Sequence, residues 1–421
     1  MQSSIKLRLT VMNFLQFAVW GAYLTSMGRY LGTAGFGSEI GNFYAMQGLV
    51  SLFMPALMGI VADRWIPAQR LLGVCHMLAG MLMLGVFLYT QTDTPSYPTL
   101  FALYSLSVAF YMPTLALSNS VAYTSLDQAG LDLVKSFPPI RVFGTVGFIC
   151  TMIAVSLLGL EATSGQFAVS AIISLVLAVY AQTLPNCPTA PKGQSKSLVE
   201  ALGLRAFVLF KQRKMALFFI FSMLLGVSLQ ITNGFANPFI STFGEIPAYA
   251  DTFGVKYANI LISLSQLSET LCILLIPFAL RRFGIRRVML IAMVAWVLRF
   301  ALLGLGNPGS GVWLFLLSMI VYGVAFDFFN VSGSLFVDKE TDPSIRSSAQ
   351  GLFMIMTNGI GATLGSLGAQ AVVNHFVHTE HDTTAILAGW SMSWYVFAAY
   401  AAVVAVLFAL LFRYNTATEA K

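Results

Sequence analysis

Two carboxylic acids lie inside long apolar stretches of this sequence, where charged side chains are rare. Glu269 follows Gln266 by three residues, so the two side chains share one face if the segment is helical. A carboxylate near the centre of a membrane span costs about 2.5–3.5 kcal/mol on insertion scales, so it needs a partner, a proton or a function. Glu269 is therefore the strongest functional candidate. Asp327 is the second, and its context fits either a proton carrier or a buried ion pair with Arg299.

Uncharged amides and aromatic rings accompany these acids. Gln230 and Asn233 also stand three residues apart, and each amide supplies both hydrogen-bond donors and acceptors. That suits the edge of a nucleobase, although the same amides could instead bond one helix to another. Tyr322, Phe326 and Asn330 recur every four residues, so a helix would place them on one face as an aromatic wall for a flat ring.

A third set of candidates stands between two prolines and a long apolar run. Pro138 and Pro139 suit the first turn of a helix, where a missing N–H costs nothing. Arg141, Thr145 and Phe148 follow at i, i+4 and i+7 and would share one face. That face could bind a hydroxylated, ring-bearing solute. Equally, Arg141 could extend to the membrane surface beside a packed phenylalanine, and the residues alone leave both interpretations open.

The elements that must position these residues are membrane-spanning helices. Mean hydropathy is +0.78, 57% of the 421 residues are hydrophobic and only 10% are charged, which excludes a water-soluble protein. No run alternates as the strands of a membrane barrel do, so the expected fold class is an all-α membrane protein. Runs long enough to cross a bilayer predict twelve transmembrane helices, near residues 9–31, 40–62, 71–91, 97–120, 138–160, 166–184, 215–240, 257–280, 288–305, 312–335, 348–374 and 390–412.

Basic residues are distributed unevenly between the predicted loops. With the N-terminus in the cytoplasm, all of the 23 lysines and arginines except Arg29, Lys256 and Arg299 belong to the inner side. This positive-inside pattern predicts that both termini are cytoplasmic. It also explains the net charge of +6 without a nucleic-acid partner.

The longest polar stretch, residues 185–214, divides the chain into two predicted halves of six helices, residues 1–184 and 215–421. Its prolines, glycine and lysines are typical of a cytoplasmic linker. The basic turns after spans two and eight, at residues 62–70 and 280–287, resemble each other weakly. Two related halves are the pattern of a transporter whose site lies at the membrane midplane.

Polar and aromatic residues also form a stripe in span one, where Asn13, Gln16 and Trp20 stand at i, i+3 and i+7. For these three residues we expect core packing rather than a role in lining the cavity.

Several segments resemble a known family. The loop Gly59-x-x-x-Asp63-Arg64 is similar to the signature of the major facilitator superfamily, although Ile66 and Pro67 replace its usual glycine and basic residue. Between about residues 5 and 412, further segments resemble the bacterial nucleoside permeases, which are proton-coupled importers of the inner membrane. These segments are residues 53–63, 137–145, 221–226, 229–233, 265–269, 322–330 and 348–351.

The resemblance implies a nucleoside:H+ symporter that works by alternating access. It would carry purine and pyrimidine nucleosides with protons, as a monomer in the inner membrane of a bacterium, and would use no cofactor besides the proton gradient. Asp63 and Arg64 would latch the two halves, and Glu269 or Asp327 would take up the proton. The implied substrate-binding residues are Arg141, Thr145, Phe148, Gln230, Asn233, Gln266, Glu269, Tyr322 and Phe326.

Other functions fit the sequence less well. Uptake of a sugar on the same scaffold is the nearest alternative, followed by drug export and by a receptor that binds without transport. An enzyme is the weakest alternative, because no nucleophile–base pair and no nucleotide-binding glycine motif occurs. Three histidines, His375, His378 and His381, do not share one helical face, so we expect a solvated loop there and no metal site.

Overall fold

The structure, a computed structural model, describes residues 2–189, 204–343 and 345–414. Throughout these residues the regular structure is helical, and none of them forms a strand. Short 3-10 turns occur at Gly37–Glu39, Leu204–Lys211 and Phe243–Glu245, and Ile355–Gly361 is a π-helical segment. The α-helices are α1 (Gln2–Gly21), α2 (Met27–Thr33), α3 (Ile40–Ser51), α4 (Met54–Arg64), α5 (Ala68–Tyr89), α6 (Tyr97–Gln128), α7 (Leu133–Leu157), α8 (Gly165–Ala181), α9 (Arg213–Leu229), α10 (Ile231–Thr242), α11 (Pro247–Ala250), α12 (Phe253–Lys256), α13 (Ala258–Leu305), α14 (Val312–Glu340), α15 (Arg346–Met354), α16 (Ala362–Phe376) and α17 (Thr383–Leu411).

Nine helical stretches of the described chain are long and apolar enough to cross a membrane. One of them, Ala258–Leu305, contains two predicted spans. Gly284 separates the two spans with a φ of 74° and a ψ of 164°. This left-handed conformation is open to glycine and strained for other residues. Together with α1 and the shorter apolar helix α8, these stretches account for all twelve predicted spans.

The chain divides into two compact units. The first comprises Met1–Tyr30 and Leu49–Leu202, and the second comprises Leu31–Gly48 and Gly203–Lys421. The segment Leu31–Gly48 thus belongs to the second unit, although it lies within the predicted first half. The linker predicted at residues 185–214 lies partly outside the described residues; its described end contains a 3-10 turn, and α9 already begins at Arg213.

Each unit has its own apolar core. In the first unit, aliphatic side chains of α1, α5 and α6 pack together around Met12, Leu72 and Val121, none of which is exposed to solvent. The second unit relies on aromatic rings. Phe218 packs against Phe336 with ring centres 4.6 Å apart, and aromatic contacts of this kind are favourable beyond the area they bury.

Helix α7 begins earlier than the sequence predicts. We expected Pro138 and Pro139 in its first turn, but the helix starts at Leu133 and holds both prolines inside it. The side chain of Asp132 accepts a hydrogen bond from the N–H of Lys135 at 3.3 Å and so starts the helix upstream of the prolines. The prediction was wrong because proline marks a permitted helix start, not a required one.

Candidate functional site

An aromatic pair lies on α14 of the second unit. The rings of Tyr322 and Phe326 are stacked, with centres 5.6 Å apart and an angle of 13° between their planes. Trp296 of α13 meets the Tyr322 ring edge-on at 5.9 Å. Tyr322 is buried, whereas Phe326 is only half-buried. The four-residue spacing therefore places the two rings on one face of α14, as the sequence predicts.

Arg299 packs against the Tyr322 ring of this pair. Its guanidinium carbon lies 4.4 Å from the centre of the Tyr322 ring, and the residue is 2% exposed. Arg299 donates hydrogen bonds to the carbonyl of Ser318 at 2.8 Å, to Thr232 Oγ1 at 3.2 Å and to Ser265 Oγ at 3.3 Å. The buried cation is thus stabilised by a ring face and by neutral oxygens.

Asp327 is the buried acid of the same helix, with 5% exposure. Within the described part of the chain, its Oδ2 has no hydrogen-bond partner and Arg299 makes no ion pair with it. Its electrostatic neighbour is Glu269 of α13. Tyr322 in turn lies within electrostatic range of Glu269, Asp327 and Arg299. The two candidate acids and the aromatic wall therefore belong to one cluster.

Two serines attach one side of α13 to α14. Ser265 Oγ donates to the sulfur of Met319 at 3.1 Å, and Ser268 Oγ donates to the carbonyl of Ile320, so this side of α13 is attached to α14. Gln266 and Glu269 are the next residues along the helix and are only half-buried. Among the described residues, Gln266 Oε1 is a buried atom without a hydrogen-bond donor.

The amides Gln230 and Asn233 lie where the helical path breaks. Gln230 separates α9 from α10, and the Nδ2 of Asn233 donates to Gln230 Oε1 at 2.9 Å. The two amides thus bond to each other across this break. A break in a helix leaves backbone groups for other partners, which makes such positions suitable for binding.

In the first unit, α7 presents Arg141, Thr145 and Phe148. Arg141 and Thr145 are half-buried, and Phe148 is 6% exposed. The Arg141 guanidinium lies 4.0 Å from the centre of the Phe17 ring on α1. Its Nη1 is next to Gly144, one turn further along α7, so the side chain turns away from the helix start.

Comparison with known proteins identifies the family. Residues 3–417 match the family model for nucleoside H+ symporters. Xanthosine permease of Escherichia coli K12 is 50% identical over 98% of this chain and 97% of its own length, and nucleoside permease NupG of the same organism is 46% identical over 98% and 97%. The crystal structure of NupG superposes with a TM-score of 0.89 at 46% identity, covering 98% of this chain and 100% of NupG. The chain belongs to the nucleoside H+ symporter family.

Membership confirms the predicted resemblance and the predicted fold class. This nucleoside H+ symporter is a proton-coupled nucleoside importer with the twelve-helix fold of the major facilitator superfamily and not an enzyme. It is a multi-pass protein of the inner membrane, and the proton gradient takes the place of a cofactor.

Sequence reasoning missed a buried histidine in the first unit of the symporter. The His76 ring nitrogens lie 2.8 Å from Gln16 Oε1 and 2.9 Å from Ser174 Oγ, and Gln16 Nε2 donates to Thr114 Oγ1 at 2.7 Å. His76, Gln16 and Asn13 are fully buried. The predicted packing role of Asn13 and Gln16 thus agrees with the structure, but no local spacing connects His76 with them.

Two other segments singled out in the sequence lie at helix ends. Asp63 and Arg64 end α4, and their role as a latch stays a prediction. Near the histidines after α16, Asp382 accepts hydrogen bonds from the N–H groups of Thr384 and Ala385 and so caps α17. No group of three potential metal ligands occurs among the described residues.

Proposed function

We propose that this symporter carries purine and pyrimidine nucleosides alike and binds the base against Tyr322 and Phe326. The stacked, partly accessible ring wall on α14 is the observation that carries this proposal. Stacking is tolerant of base identity, because every base has a flat π face. Two relatives with high identity, a xanthosine permease and a nucleoside permease, support this breadth.

The polar groups of the proposed site bind the base edge and the sugar. Gln230, Asn233 and Gln266 supply amide donors and acceptors for the base edge or the ribose. Arg141 and Thr145 supply donors for hydroxyl groups, and Phe148 adds another ring. Gln266 Oε1, which is buried without a donor within the described chain, gains a partner when a substrate N–H or O–H binds.

Glu269 and Asp327 carry the coupling proton in this proposal. A buried carboxylate without a donor is costly, and a bound proton removes its charge. Asp327 is in that position, and Glu269 is its electrostatic neighbour. Proton entry is driven by the gradient and by the membrane potential, which contributes about 2.3 kcal/mol per charge per 100 mV.

Two transport assays on the purified protein in liposomes separate binding from coupling. Uridine accumulation requires an imposed proton gradient, whereas uridine exchange at equal concentrations requires only binding and reorientation. One of the two acids carries the coupling proton. We expect the variant that replaces it, Glu269→Gln or Asp327→Asn, to lose uridine accumulation and to keep uridine exchange. Asp338→Asn is the matched control, since Asp338 lies in the last turn of the helix that carries Asp327 and forms an exposed ion pair with Arg346.

The outcomes discriminate between the proposals. Loss of both activities in a variant assigns its carboxylate to binding. Normal accumulation in both variants refutes the assignment of the proton to these acids. Competition by a panel of purine nucleosides, pyrimidine nucleosides and free sugars tests breadth, and inhibition by sugars alone would favour the sugar alternative.

The topology and the oligomeric state complete the proposal. Both termini face the cytoplasm, because nearly all basic residues then lie on the inner side, and the protein is a monomer. Single cysteines placed near each terminus should react with a membrane-impermeant reagent only after the inner face is opened. Light scattering of the purified protein tests the mass of the particle.

A further inference from the structure

A residue of α1 that belongs to no predicted site contacts the functional face of α7. The Phe17 ring lies beneath the guanidinium of Arg141, with the guanidinium carbon 4.0 Å from the ring centre. Both residues belong to the first unit and are half-buried. A cation this close to a ring face is attracted by the negative face of the ring, and more strongly where water is partly excluded.

Gly144 provides the space for this contact. A Cβ on Gly144 would lie 2.6 Å from the Phe17 ring and 2.9 Å from Arg141 Nη1, both closer than real Cβ contacts. The ring and the guanidinium therefore fill a space that only glycine leaves open. Phe17 of α1 and Gly144 of α7 thus determine the position of the Arg141 side chain.

The same side of α1 also supports Phe148. Trp20, three residues after Phe17, meets the Phe148 ring edge-on at 6.4 Å and the Tyr111 ring at 6.1 Å. Gln16 attaches α1 to α5 and α6 through His76 and Thr114. The rotation of α1, and with it the position of Phe17, is thereby fixed by buried hydrogen bonds.

We propose that Phe17 is a positioning residue, which holds the Arg141 guanidinium so that its in-plane N–H groups donate to the hydroxyl groups of the nucleoside sugar. Stacking occupies the face of a guanidinium and leaves its donors directed outward in the plane. Without the ring, the flexible arginine distributes among several rotamers, and binding must order it again. The inference rests on the proposed substrate contact of Arg141.

The test compares Phe17→Leu, Phe17→Tyr and the control Phe14→Leu, using uridine binding to the purified protein and concentration-dependent uridine exchange. Phe14 is also a half-buried phenylalanine of α1, but it meets α7 at Gly147 through its backbone. We expect Phe17→Leu to weaken uridine affinity about tenfold, or about 1.4 kcal/mol. The KM of exchange should rise by the same factor with little change in the maximal rate. Phe17→Tyr, which keeps the ring, and Phe14→Leu should retain the affinity of the parent protein.

A double-mutant cycle with Arg141→Gln identifies the route of the effect. If Phe17 acts through Arg141, Phe17→Leu has no further effect on affinity in the Arg141→Gln background. Equal losses in both backgrounds, or unchanged affinity in a Phe17→Leu protein, would overturn the positioning role. If Arg141→Gln itself binds uridine normally, the proposed contact of Arg141 is wrong, which is a separate failure.

Gly144→Ala tests the same contact from α7 and keeps the proposal falsifiable should Phe17→Leu not fold. Its added methyl group displaces the ring and the guanidinium from each other. We expect a KM for uridine exchange several-fold higher, with thermal unfolding of the purified protein as the check on folding. A folded Gly144→Ala protein with an unchanged KM would overturn the proposal.

Discussion

Replacement of Phe326 by leucine tests the aromatic wall most directly. Phe326 is the more accessible of the two stacked rings, and Tyr322 keeps its support from Arg299 and Trp296 when Phe326 is shortened. Stacking of a base on an aromatic side chain contributes about 1–3 kcal/mol. At 1.4 kcal/mol per tenfold, Phe326→Leu should weaken nucleoside binding by roughly 5- to 140-fold.

The assay is competition of labelled uridine by a purine nucleoside, a pyrimidine nucleoside and ribose. Loss of a stacking face should lower the affinity of both nucleosides by similar factors and should not change the effect of ribose, which has no base to stack. Phe326→Tyr keeps the ring and should bind normally. Phe278→Leu makes the same chemical change on an exposed side of α13, where Phe278 is 65% exposed, and should have no effect. Unchanged nucleoside affinity in a folded Phe326→Leu protein would refute the stacking role.

Two further predictions concern stability. His76→Leu leaves the buried Gln16 Oε1 without its ring-nitrogen partner, although Gln16 Nε2 keeps Thr114 and Ser174 keeps the backbone carbonyl of residue 76. It should lower the free energy of unfolding by about 1–3 kcal/mol, seen as a lower thermal midpoint, whereas the exposed His375→Leu should not. Asp382→Ala removes the cap of α17 and should destabilise the protein by about 1 kcal/mol while uridine uptake stays normal; impaired uptake would assign the loop a part in transport.

Residues that share one helix were predictable from the sequence because helical spacing fixes their relation. The i, i+4 spacing of Tyr322 and Phe326 places the two rings next to each other on one helix face, and the apolar runs mark all twelve spans. The turn at Gly284 was not predictable in this way. The sequence predicts a loop at residues 280–287, whereas the structure joins the two spans with a break at Gly284 alone. Similarly, the start of α7 depended on Asp132, whose capping competes with the signal of the prolines.

Contacts between distant segments cannot be predicted from residue spacing within one helix. Phe17 and Arg141 come from different helices, and no periodicity connects a phenylalanine in one apolar run with an arginine in another. The same holds for His76 and Gln16, whose pairing depends on how α1 and α5 rotate against each other. Only the packing of the helices determines which polar residue satisfies which.

The partners of Arg299 bear on how proton coupling works. The sequence left open an ion pair between Arg299 and Asp327, and such a pair would hold the acid in its charged form, because protonation would leave a buried cation uncompensated. Instead, Arg299 uses a carbonyl, two hydroxyl groups and the Tyr322 ring, all of which remain available when Asp327 changes its charge. Asp327 can then gain or lose a proton without breaking the contacts that hold Arg299 and Tyr322 in place. This independence predicts that Asp327→Asn keeps the thermal stability of the parent protein, whereas Arg299→Leu does not.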